Sequence, residues 1–77
     1  MQEFDIILHS SKQVQDFVAL AMVQPFEVLV GNDWQSIDGK DLMGMFSLDY
    51  SSPVRVSADC PPEQFSRFRS SAEDLLV

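Results

Sequence analysis

The chain has 77 residues, 45% of them apolar and 22% charged, and its 12 acidic against 5 basic side chains give a formal charge of −7. That length excludes a multidomain enzyme, the absence of a long apolar run excludes a membrane span, and the acidic excess repels phosphate backbones and anionic lipid, so neither nucleic acid nor a membrane is an expected partner. One cysteine, Cys60, and one histidine, His9, make neither an internal disulfide nor a structural zinc site, so no metal or cofactor is expected and packing alone must hold the core.

The lone thiol suits a reducing compartment. The start Met1-Gln2-Glu3-Phe4-Asp5 lacks the basic and apolar stretches of a secretory signal, so the expected location is cytoplasmic. A core this small rarely contributes more than about 3–5 kcal/mol net, so most large apolar residues must be committed to it and any left exposed are informative.

Residues Gln2 to Leu8 alternate, with Phe4, Ile6 and Leu8 on one face, which predicts a half-buried first strand. From Ser10 the period changes: Val14, Phe17, Val18, Ala21 and Met22 fall at helical spacing, Ser10 and Gln13 fit a capping box, and Pro25 marks the end of this first helix. Phe26 to Val30 is β-prone, Gly31-Asn32-Asp33 has turn chemistry, and Trp34 to Asp38 returns antiparallel, giving a hairpin. Asp41 is placed to cap a short second helix over Leu42 to Leu48, weakened by Gly44. Val54, Val56 and Ala58 alternate as a fourth strand. Pro61 or Pro62 then opens a third helix, Glu63 complements its positive end, and Phe65, Phe68, Ala72, Leu75 and Leu76 trace its apolar stripe.

The order β α β β α β α, without repeat or linker, predicts one α+β domain over residues 1–77. Its expected form is an open-faced sandwich, a four-stranded antiparallel sheet with three helices on one face.

The segment Asp38-Gly39-Lys40-Asp41-Leu42-Met43-Gly44-Met45-Phe46-Ser47-Leu48 resembles the second-helix region of HPr, the histidine phosphocarrier of the bacterial phosphoenolpyruvate sugar phosphotransferase system, where the pattern is Lys-Ser-Ile-Met-Gly-x-Met-Ser-Leu. The likeness runs through the hairpin and the terminal helix and covers essentially the whole chain. It implies an HPr-like fold and protein partners: enzyme I, enzyme IIA domains, or a transcriptional regulator of catabolite repression. The chain departs from the family at the start of the first helix, where HPr carries Gly-Leu-His-Ala-Arg-Pro and this chain reads His9-Ser10-Ser11-Lys12-Gln13-Val14-Gln15-Asp16-Phe17. A phosphoimidazole needs N–H donors and positive charge at a helix N-terminus, and here no Arg follows the His while Asp16 lies close by.

His9 is the single phosphoacceptor candidate; the simpler reading is an exposed histidine at a strand end. Lys12 lacks the bidentate fork of an arginine and reads as a solvated helix residue. Asp41 stands where many HPr proteins carry a regulatory serine and either imitates its phosphorylated state or serves as a plain N-cap. Leu42, Met43 and Phe46 resemble the family's docking surface; the alternative is that they are core, although a helix about two turns long cannot bury its whole circumference. Cys60 has no nearby base and reads as packing, and Glu73-Asp74 reads as a solvated face. The expectation is a noncatalytic, regulatory protein-binding module related to the phosphotransferase system, with an active phosphocarrier using His9 as the alternative.

Overall fold

The computed structural model describes residues 1–77. The elements are β1 (Gln2–Ile6), α1 (Ser11–Met22), β2 (Val28–Gly31), β3 (Ser36–Asp38), α2 (Leu42–Phe46), β4 (Val54–Ala58) and α3 (Pro62–Ser71), followed by a 3₁₀ turn over Glu73–Leu75. The expected order is observed. The strands form one antiparallel sheet in the order β1-β4-β2-β3. β4 lies between its partners, with Phe4 opposite Val56 and Ile6 opposite Val54 on one side and Val30 opposite Val56 on the other.

Alternation explains which face is dry. Phe4, Ile6, Val28, Val30, Val54, Val56 and Ala58 are buried beneath the helices, whereas Glu3, Asp5 and Arg55 point away from them into solvent. From above, α1 contributes Val14, Phe17, Val18 and Ala21, α2 contributes Met45, and α3 contributes Phe68. Phe68 sits among three rings, with centroids 5.6 Å from Phe4, 5.6 Å from Phe26 and 6.1 Å from Phe17, the edge-on or tilted geometry that aromatic quadrupoles favour. No buried side-chain nitrogen or oxygen lacks a partner.

Several predicted boundaries need correction. β1 stops at Ile6 because the chain turns to meet the C-terminus: the Ile7 amide donates to the Leu75 carbonyl at 2.9 Å and Ile6 bridges Leu76. The hairpin is shorter than its apolar run, with β2 starting at Val28 and β3 at Ser36. Trp34 belongs to the turn, where the Asn32 side-chain oxygen accepts from the Trp34 and Gln35 amides at 2.9 and 3.0 Å. The third helix does not carry its stripe through Leu76. It ends at Ser71, and Ala72 and Leu75 reach the core through the 3₁₀ turn, which leaves Leu76 free to pair with the edge of β1. Pro62 occupies the first helical position of α3, as its missing N–H allows.

No helix is long and apolar enough to cross a membrane.

Candidate functional site

The first turn of α1 is closed by its own sequence. Ser10 is the N-cap in extended conformation, its hydroxyl accepting from the Gln13 amide at 3.2 Å, and the Gln13 carboxamide oxygen accepts from the His9 amide at 2.6 Å. The reciprocal bond of a capping box therefore lands one residue early, on His9. This fixes the backbone that carries the imidazole, and His9 itself is exposed.

α1 and α2 run antiparallel over the sheet, so the last residue of α2 meets the first turn of α1. The Lys40 ammonium donates to the Gln24 carbonyl at 2.8 Å and joins the opposite ends of the same pair. Between the meeting ends lies a groove of about 440 Å³ lined by His9, Ser10, Val14, Phe46, Tyr50 and neighbouring residues. Its walls carry no Lys, Arg, Asp or Glu. The nearest cation in sequence, Lys12, is exposed and bonded to Asp16 at 2.9 Å, one turn further along the helix.

The short α2 divides its side chains as its length requires. Met45 is fully buried and Leu48, just beyond the helix, is 6% exposed, while Leu42, Met43 and Phe46 are 40%, 81% and 45% exposed. The predicted docking residues thus lie on the outer side of α2, and Phe46 alone of the three also lines the groove with His9. Tyr50, half-buried, also lines the groove. Its hydroxyl donates to the Met45 carbonyl, and partial burial of the ring pushes the phenol up to about 12 because the phenolate would lose hydration. The sequence did not single out Tyr50: it follows α2 in a Ser-Pro loop with no periodicity, and only the fold brings it beside His9.

The structure corrects the reading of Asp41. It occupies the N-cap position of α2 with extended backbone, φ −97° and ψ 103°, yet its side chain makes no capping bond. The carboxylate instead leans over Gly44, where an added Cβ would lie 3.0 Å from Oδ2. The preceding Asp38 does the local bonding, its side chain accepting from the Lys40 amide at 2.9 Å and its carbonyl from the Asp41 amide at 3.0 Å. Elsewhere, Cys60 is partly buried and burial, with the charge of Asp59 beside it, pushes its thiol up. Glu73 and Asp74 are both exposed. No group of three His, Cys, Asp or Glu side chains is placed to hold a metal ion.

The sequence matches no protein-family model and no curated protein. Among solved structures the chain is similar to the crystal structure of HPr-C-His from Thermoanaerobacter tengcongensis, at 26% sequence identity and a TM-score of 0.77, over 99% of this chain and 91% of that one. The fold is therefore an HPr-like open-faced sandwich along its whole length.

Proposed function

We propose that this chain is an HPr-like protein of the bacterial sugar phosphotransferase system that binds partner proteins through α2 and carries no phosphate. The observation that supports this reading most is the pairing of an exposed apolar face with an uncharged groove. Leu42, Met43 and Phe46 offer an adaptable apolar patch beside the groove that holds His9, and no cation in that groove would compensate a phosphoimidazole. The partners implied by the likeness are phosphotransferase proteins such as enzyme I or an enzyme IIA domain, or a transcriptional regulator of catabolite repression. The role is regulatory and cytoplasmic, and His9 is a groove residue rather than a phosphoacceptor. Asp41, exposed at the start of α2, is assigned no regulatory role.

Titration of the isotope-labelled chain with enzyme I, an enzyme IIA domain and the regulator in turn tests the docking. At least one should shift the amides of Leu42 to Phe46, and Phe46→Ala should weaken that complex by about 1–2 kcal/mol, the scale of a truncated interface anchor. Shifts confined to other surfaces, or an unaffected Phe46→Ala, contradict it.

A second reading is favoured by one feature: His9 lies at the N-terminus of a twelve-residue helix, where a phosphoryl group gains from the helix dipole. In that reading His9 accepts phosphate from enzyme I, and incubation with enzyme I and phosphoenolpyruvate separates the two.

A further inference from the structure

The side of the sheet that no helix covers is a shallow trough of about 510 Å³, and its chemistry differs from that of the α1–α2 face. Four carboxylates border it, Glu3 and Asp5 on β1, Asp33 in the hairpin turn and Asp49 in the loop after α2, against one cation, Arg55. Arg55 is already bound, its Nε donating to Asp5 at 3.2 Å, and Glu3 accepts from the Ser57 hydroxyl at 3.0 Å. The Ser51 amide donates to Asp49 at 2.9 Å and holds that carboxyl below its usual range, so it stays ionised. The trough is therefore net negative with its own cation neutralised.

Trp34 stands on the same rim, 94% exposed. This is the largest side chain in the protein left almost wholly in water, on a turn whose backbone the Asn32 side chain fixes with two bonds. Burying an indole is worth about 2 kcal/mol or more, so a chain with so small a core forgoes a substantial stabilisation by presenting it outward. An indole face next to carboxylates is the arrangement that receives a guanidinium or ammonium group: the ring quadrupole attracts the cation and the carboxylates accept its N–H bonds. A second copy of this chain, at −7 and with the same acidic trough, is repelled, as is any anionic ligand.

We propose that the open sheet face is a second docking surface, which takes an arginine- or lysine-bearing segment of a partner protein with the cation against Trp34 and its counter-charge from Asp33 and Asp49. It lies on the opposite side of the sheet from α2, so it stands or falls independently of docking there.

The probe is a blocked peptide of alternating Gly and Arg, with its Gln-for-Arg counterpart as control, titrated into the full isotope-labelled chain. Trp34 is the single tryptophan, so its indole resonance and fluorescence report the site directly. The Arg peptide should shift the Trp34 indole and the amides of β1, β4 and the hairpin turn, and the Gln peptide should not. Trp34→Leu, which keeps apolar bulk but removes the π face, should weaken binding by about tenfold, with an unchanged circular dichroism spectrum showing the fold intact. Asp33→Asn with Asp49→Asn should weaken it comparably, whereas Glu73→Gln with Asp74→Asn, the same change in net charge at a distant site, should leave it unaltered. Equal weakening by both charge pairs, shifts scattered over the acidic surface, no binding of the Arg peptide, or full affinity in Trp34→Leu would each overturn the proposal.

Discussion

The Tyr50 hydroxyl donates to the backbone carbonyl of Met45, tying the loop after α2 to the helix it leaves. The same contact gives α2, only five residues long, tertiary support that its own hydrogen bonds cannot supply. Burial holds the phenol at about 12 in the folded chain, above its ordinary value of 10.0. Because the folded value is the higher one, this contribution is complete below pH 10, where both states are protonated, and is lost as pH rises from about 10 to about 12. Urea melts across that window should show stability falling with pH, and Tyr50→Phe should flatten its share of the slope. The variant should also cost about 1 kcal/mol at neutral pH for the lost hydrogen bond.

The two N-caps should behave differently under the same substitution. Ser10→Ala removes the acceptor of the Gln13 amide and should destabilise the chain by about 1 kcal/mol, whereas Asp41→Ala removes no capping bond and should change stability by less than about 0.5 kcal/mol. Chemical denaturation of both variants checks the contrast; an equal loss in both would mean that Asp41 caps α2 in solution.

These caps also mark how far the sequence could be read. The alternation of Phe4, Ile6 and Leu8 is buried as its period requires, and Ser10 caps because Ser, then Gln three residues on, satisfies local amides without help from the fold. Asp41 is also a good capping residue type, yet its side chain makes no capping bond, and the Gly44 three residues on offers no side chain to complete a capping box. The end of α3 was hidden for another reason: Leu75 and Leu76 continue a helical stripe, and their departure from the helix depends on pairing with β1, which is far away in sequence. At the site, exposure of part of α2 followed from its length, whereas the groove joining His9, Phe46 and Tyr50 needs three distant segments to meet. Trp34 read as strand because its residue type favours strands, and the Asn32 side chain decides otherwise.

Two glycines should respond in opposite directions to a methyl group. At Gly44 the nearest atom to an added Cβ is Asp41 Oδ2 at 3.0 Å, the free end of an exposed side chain that can swing aside. Gly44→Ala should therefore recover part of the roughly 1 kcal/mol that glycine costs a helix. At Gly31 the added Cβ would lie 2.2 Å from the Gln35 carbonyl oxygen and 2.9 Å from Ser36 Cα, both backbone atoms of the paired strand and turn. Gly31→Ala should cost about 1–3 kcal/mol and disturb the hairpin. Melting temperatures of the two variants, moving up and down respectively, check this.

Phe68→Ala should be the most damaging single truncation. It removes the ring around which Phe4, Phe17 and Phe26 pack and should cost about 3–5 kcal/mol, comparable with the whole net stability expected of a core this small. Loss of the cooperative thermal transition is the expected result. A transition retained near the parent temperature would show that the core rearranges to fill the space.

The central claim, an HPr-like scaffold that binds partners without carrying phosphate, is tested most directly by incubating the chain with enzyme I and phosphoenolpyruvate and measuring its intact mass at neutral and at acid pH. The account predicts no gain of a phosphoryl group. An acid-labile phosphoryl adduct on the parent chain that is absent in His9→Ala would contradict it.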